Sequence, residues 1–293
     1  MKPNPTPTQS SYARRFNRVL DYIDKHLDDA LTVEDLSKVA NFSKFHFHRQ
    51  FSEYCGINIG RYIQLMKLKR ASYRLAFNHQ DRVIDIALDA GFENPESFSR
   101  AFKNAFGQTP SEFRMEPAWE SWSGCCQFPI PTRERADNMD VGIVQVEPVM
   151  VAVLEHRGAP ALLNGSVQTF IEWRKTTGLS PVGSSRTYGI AYDNPDTTLA
   201  DAFRFDLCGS VTEAVPDNPQ GVVTKTIPGG RCAVVRHAGS RDRIGDSVYS
   251  LYRDWLPVSG EEPRDFPVYF HYLNLDIDTP EHAHLTDIYL PLK

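Results

Sequence analysis

The chain has 293 residues, 41% hydrophobic and 24% charged, which excludes a disordered or fibrous protein and leaves room for two domains with cores of their own. No apolar run approaches the roughly twenty residues that a membrane span needs, and MKPNPTPTQSS lacks the apolar centre of a signal peptide, so a cytoplasmic protein without a membrane partner is expected. The net charge of −5 is uneven: residues 1–115 carry 17 Lys+Arg against 13 Asp+Glu, a net of +4, and residues 116–293 a net of −9, so only the front suits a polyanion.

In chain order, the first elements form a repeat. Val33/Val83, Asp35/Asp85, Leu36/Ile86, Ala40/Ala90, Asn41/Gly91 and Phe42/Phe92 coincide; after one inserted residue, Phe47/Phe98, Arg49/Arg100, Phe51/Phe102 and Gly56/Gly107 follow. Each copy reads as a short helix, a tight turn at Asn41 or Gly91 where positive φ is tolerated, and a second helix capped by Ser43 or Asn94. That is the anatomy of a helix-turn-helix. At 100° per residue Phe47 and Phe51 share the buried side, while Phe45, His48, Arg49 and Ser52 point away; with Phe98 and Phe102 buried, Glu96, Ser99, Arg100 and Lys103 point outward. Both outer faces centre on an Arg, a side chain suited to guanine edges and phosphates. Between the copies, IGRYIQLMKLKRASYRLAF reads as one linking helix, about 28 Å long at 1.5 Å per residue, close to the roughly 34 Å between successive major-groove segments. Its Lys69 and Arg70 are expected at backbone phosphates.

Residues 12–115, and above all ALDAGFENPESFSRAFKNAFGQTPSEFR, resemble the DNA-binding domain of the AraC/XylS family. The resemblance implies an all-α domain with two helix-turn-helix units joined by a linking helix. It further implies a double-stranded promoter DNA partner and contact with RNA polymerase. One half-site would be read by Ser43, Lys44, Phe45, His48 and Arg49, the other by Glu96, Ser99, Arg100 and Lys103. Glu96 departs from the Gln of many relatives; an acid there can accept from cytosine N4.

Residues 116–141, with Pro117, Pro129, Pro131 and a charged stretch, read as a linker whose Trp119 and Trp122 dock one domain on the other. A second duplication follows: MVAVLEHRG at 150–158 against CAVVRHAG at 232–239, each leading into an amphipathic helix that places Trp173 and Trp255 equivalently. Two alternating strands come after each helix, so the expected architecture is α+β, a strand-helix-strand-strand unit built twice. Phe203 and Phe205 share one face, and Val268, Phe270 and Tyr272 share another. Residues 142–293 resemble the GyrI-like effector-binding domain. The resemblance implies a cleft for a small-molecule effector, with Trp173, Tyr188, Phe203, Phe205, Trp255, Phe270, Tyr272 and Tyr289 as ligand-binding candidates. Relatives that bind cationic drugs carry a buried Glu where this chain aligns Phe270, which favours neutral or weakly acidic aromatic ligands here.

No catalytic residue, metal site or cofactor is expected. His46 and His48 diverge by about 200° on a helix, His282/His284 lacks a third ligand, and five cysteines without CxxC spacing favour free thiols. The rival reading makes the acidic half a hydrolase of lipophilic molecules, or a module that sequesters them.

Overall fold

The computed structural model describes residues 7–126, 139–275, 279 and 281–293. The chain divides into two compact units, Met1–Ala136 and Asp137–Thr279 with Ala283–Lys293. No helix among the described residues is long and apolar enough to cross a membrane.

The N-terminal unit is helical: α1 (Pro7–Lys25), α2 (Val33–Val39), α3 (Lys44–Cys55), α4 (Ile59–Phe77), α5 (Val83–Asp89), α6 (Pro95–Phe106), α7 (Pro110–Met115) and α8 (Trp119–Cys126). Side-chain caps set most of the helix starts. Thr32, Ser43, Asn58 and Asn94 each accept a backbone N–H three residues on, and Thr109 with Glu112 forms a reciprocal capping box. In the two inter-helix turns Asn41 takes φ 52° and Gly91 φ 81°. These are the left-handed conformations that the amide side chain of Asn and the bare Cα of Gly tolerate.

The repeated phenylalanines form the same packing device twice. Phe47 and Phe51 stand 5.8 Å apart at 50°, and Phe98 and Phe102 stand 5.6 Å apart at 53°. All four are fully buried. A third ring repeats as well, Tyr62 edge-on to Phe51 at 5.7 Å and Phe113 edge-on to Phe102 at 5.4 Å; what differs is Phe16 of α1 on the first pair and Phe106, at the position of Cys55, on Phe102. Trp119 and Trp122, expected in a linker as docking residues, instead belong to this core. Both are 5% exposed, and the Trp122 indole donates to Ser72 Oγ at 2.8 Å. Their apolar area and ring contacts with Tyr73, Phe77 and Phe106 make α8 a layer of the N-terminal unit.

The C-terminal unit is α+β and twofold in plan. Strands β1 (Val141–Val146) and β2 (Val149–Arg157) precede α9 (Leu163–Thr177), and β3 (Thr187–Ala191) and β4 (Arg204–Ser210) follow it. The second half repeats this as β5 (Val223–Ile227), β6 (Gly230–Ala238), α10 (Ile244–Ser250), α11 (Leu256–Ser259), β7 (Val268–Tyr272) and β8 (Leu285–Pro291). Each half therefore has one strand more than the expected strand-helix-strand-strand unit. These extra strands are hard to read because they lie at the edges: β1 leaves Ile143 and Val144 exposed and lacks an alternating pattern.

All eight strands form one antiparallel sheet in the order β1-β6-β8-β7-β3-β4-β2-β5. Read from either end, each strand meets its repeat partner. The halves exchange their first strands: β1 pairs with β6 and β5 with β2. Helices α9 and α10 pack on one face, over Leu154, Phe205, Phe270 and Ile288. A π turn at Leu251–Trp255 separates α10 from α11. It absorbs one extra residue, since a π turn holds one residue more than an α turn, and so brings Trp255 into step with Trp173.

Candidate DNA-reading helices and ligand-binding cluster

Helix α3 carries Ser43 at its cap and Lys44, His48 and Arg49 on its surface, all exposed. The Phe45 side chain lies outside the described residues. Helix α6 exposes Glu96, Arg100 and Lys103, with Ser99 half-buried beside them. The opposite sides of both helices are held by the buried Phe pairs, so the polar rows have one orientation each. Among the described residues neither Arg49 nor Arg100 has an ion-pair partner, and both side chains are exposed.

The linking helix α4 differs from expectation. Lys69 is 4% exposed and takes part in the unit's interior, and Arg70 forms a bidentate pair with Asp28. Arg74 bonds Asp81 at 2.7 Å and Asp89 at 2.5 Å. These cations fasten α4 to its neighbours, which removes Lys69 and Arg70 from the expected phosphate contacts. A sequence pattern of interleaved basic residues does not distinguish a cation facing DNA from one paired inside the fold.

In the C-terminal unit the structure merges the two predicted aromatic faces. Phe203, Phe205, Phe270, Tyr272, Trp173 and Trp255 all lie in the cluster between sheet and helices, with Phe205 and Phe270 stacked at 6.2 Å. Four of the six are nearly fully buried; Tyr272 and Trp255 are partly exposed. Tyr188 and Tyr289 do not join them. They lie on the other face, where Tyr188 stacks on His271 at 4.7 Å and Tyr289 on Tyr269 at 4.8 Å. Strand alternation explains the division: Tyr188 and Tyr289 are one step out of phase with Phe205 and Phe270.

Glycine makes room inside the helix-side cluster. A Cβ on Gly189 would come 2.5 Å from the Phe205 ring and 2.8 Å from the Tyr272 hydroxyl. Burial pushes the Tyr272 phenol up to about 12, and the charge that opposes this is the Arg241 guanidinium, 5.6 Å over its ring. Two polar groups are buried here without a partner, the Trp173 indole N–H and the Thr286 hydroxyl, and Thr286 is the cross-strand neighbour of Tyr272. Sequence reasoning missed Thr286 and Arg241, because nothing in their local pattern marks a site.

The buried carboxylates occupy the opposite face. Asp206 is fully buried and bonds Arg157 at 2.9 Å, Lys225 at 2.8 Å and the Tyr192 hydroxyl at 2.9 Å; Asp287 pairs with Arg236 at 2.7 Å. Both are compensated. The repeated histidines act as staples: His156 Nδ1 meets Ser166 Oγ at 2.8 Å, and His237 Nδ1 meets Ser247 Oγ at 2.9 Å. Their Nε2 atoms face backbone carbonyls, which can only accept, so Nε2 carries the hydrogen and Nδ1 accepts from the serine. No group of three or more metal-ligating side chains comes together among the described residues.

Comparison with known proteins bears on both units. Residues 139–293 match the GyrI-like small molecule binding domain, and residues 36–116 match a helix-turn-helix domain. The "Probable transcriptional regulator YgiV" of Escherichia coli K12 is 51% identical over 154 residues, 53% of this chain and 96% of that protein. The "Transcriptional regulator Rob" of Salmonella typhimurium is 24% identical over 251 residues, 82% of this chain and 83% of that one. The "Right origin-binding protein" of Escherichia coli K12 is 34% identical over 104 residues, 36% of each chain. The chain belongs to the family of the GyrI-like small molecule binding domain, and with its AraC-type helix-turn-helix domain it is a transcriptional regulator that joins DNA binding and small-molecule binding in one polypeptide.

Proposed function

We propose that α3 and α6 read two successive major-groove segments of promoter DNA, with Arg49 and Arg100 as the central base contacts. Ser43, Lys44, Phe45 and His48 flank the first, and Glu96, Ser99 and Lys103 the second. The supporting observation is that both arginines are exposed and unpaired on helices whose other sides are fixed by the same buried Phe pair. Residues 12–115 act as the DNA-binding domain, backed by α8, and 142–293 respond to the effector. Regulation proceeds in the cytoplasm and includes contact with RNA polymerase.

The effector in this reading is a small, flat, neutral or weakly acidic aromatic molecule bound among Phe203, Phe205, Phe270, Tyr272, Trp173 and Trp255. The observations that support it are the orphaned Trp173 N–H beside the Phe170 ring and the Arg241 guanidinium over the Tyr272 ring. A donor without an acceptor favours a ligand that brings an oxygen, and a cationic drug would meet no free carboxylate there. Tyr188 and Tyr289 are left out of this site. Enzymatic turnover is not part of the function: the serine–histidine contacts that a hydrolase would need occur identically in both halves, as staples between strand end and helix.

For the DNA, Arg49→Ala and Arg100→Ala should each cost roughly 1–3 kcal/mol at the cognate site and relax base preference in different half-sites. Footprints that lose the same positions in both variants would refute the assignment. For the effector, titration followed by Trp fluorescence should saturate with neutral or acidic aromatics and not with lipophilic cations. Cation-only saturation would reverse the ligand class, and steady product release from an ester probe would restore the hydrolase.

A further inference from the structure

We propose that the C-terminal unit holds a second small-molecule site, for an oxyanion such as a carboxylate or phosphate group, in the cleft beside the end of β4 and the loop from α9 to β3. This site is separate from the aromatic cluster. The cleft encloses about 480 Å³ and is lined by Ser184, Ser185, Arg186, Ser210 and Thr212 among others, with no carboxylate in its wall. Glu147 and Glu213 are the nearest acids in sequence, each adjacent to a lining residue.

Behind that wall lies a buried cation with no carboxylate partner among the described residues. Arg174, in the last turn of α9, is 4% exposed. Its Nε donates to the Ser180 carbonyl at 2.5 Å and its Nη1 to Thr187 Oγ1 at 2.7 Å, while Nη2 has no partner. The Phe170 ring covers it at 5.6 Å. The residues that surround Arg174 are chain neighbours of the cleft wall: Ser180 sits between Leu179 and Pro181, Thr187 follows Arg186, and Gly209 precedes Ser210. A Cβ on Gly209 would run into Ser180 Oγ but only touch the Arg174 guanidinium carbon at 3.4 Å, so the glycine makes room for Ser180 beside the cation. Burial lowers the guanidinium to about 10, which leaves it charged at neutral pH. An unpaired charge in a low-dielectric wall makes the space in front of it attractive to anions.

Arg186 supplies a second unpaired guanidinium at the mouth. Ser210 Oγ accepts from the Arg186 backbone N–H at 2.9 Å and keeps its own hydrogen to donate. The internal duplication shows that the fold does not need these groups. The copies are 81 positions apart, from His156 to His237 and from Asp206 to Asp287. On that register Arg186, Gly209 and Ser210 become Pro267, Leu290 and Pro291, and across the π turn Arg174 becomes Leu256. At these four positions the second half is apolar, while its matching edge carries Arg264, whose Nη1 donates to the Gly229 carbonyl at 2.6 Å. The first half thus keeps an open cleft lined by Arg186 and hydroxyls where the second half is built differently.

The test is calorimetric titration of the full chain with inorganic phosphate and, separately, with benzoate, at constant ionic strength against a sodium chloride control. Saturable binding of either oxyanion is expected, weakened roughly tenfold or more in Arg186→Ala and in Arg174→Leu. Phosphate alone would assign a phosphorylated or free phosphate ligand, and benzoate alone a carboxylate. Benzoate binding lost in Thr286→Val but kept in Arg186→Ala belongs to the aromatic cluster and overturns this proposal, as does the absence of saturable binding by both anions. Should Arg174→Leu fail to fold, Arg186→Ala and Ser210→Ala decide, and unchanged binding in both refutes the site.

Discussion

The N-terminal and C-terminal units are both duplications, joined in different ways. In the first, the copies stand on either side of α4, and each Phe pair has a neighbour of its own, Phe16 for one and Phe106 for the other. In the second, β1 and β5 cross over to pair with the opposite half, and the eight strands form one continuous open sheet. Copies that only adjoin can change their outer faces independently, which is how one polypeptide presents His48 and Arg49 on one helix and Glu96 and Arg100 on another. Copies that exchange strands must keep their frame in common. They diverge where the frame leaves space, as at Arg174 against Leu256.

The largest effect that can break this comparison comes from the cores. Phe98→Ala and Trp173→Ala each remove a fully buried aromatic ring and should cost about 3–5 kcal/mol. Their reach should differ. Hydrogen exchange in Phe98→Ala should rise in α5 and α6 more than in α2 and α3, whereas in Trp173→Ala it should rise in both halves of the sheet. Equal spread in the two units would mean that strand exchange confers no extra cooperativity.

A smaller effect sharpens the contrast through pH. Burial lowers the imidazole values of both His237 and His271, with Asp246 acting against the shift at His237 and Asp287 acting against it at His271, where Arg186 and Arg236 reinforce it. A depressed histidine is neutral in the fold and takes up a proton more readily when unfolded. Its contribution is therefore complete above the ordinary value near 6.5 and is lost as pH falls from there toward the folded value. The thermal midpoint of the C-terminal unit should drop between about pH 7.5 and about pH 5.5. A midpoint that stays constant would remove these two histidines from the stability of the sheet.

Much of the N-terminal fold was legible because its signals are local. Capping residues at Ser43, Asn58 and Asn94, the turn residues Asn41 and Gly91, and the three- and four-residue spacing of the phenylalanines specify helices and faces within a few turns of chain. The C-terminal site was less legible. Six of eight proposed aromatics share the helix-side cluster, but Tyr188 and Tyr289 fall on the other face, since alternation gives the phase within a strand and not which phase meets the helices. Thr286 and the Trp173 N–H emerge as unpaired groups only after every neighbour has been placed.

The sequence by itself determined the two duplications, the helix and strand types, and the exposed arginines of α3 and α6, because periodicity and caps act over distances shorter than a helix. The tertiary structure decided which cations serve the fold and which remain free. Arg70 finds Asp28 and Arg74 finds Asp81 and Asp89, while Arg174 and Arg186 find no carboxylate among the described residues. It also decided that the halves of the sheet trade their first strands. Pairing of charges and of strands joins residues far apart in the chain, and a one-dimensional pattern does not record distances of that kind.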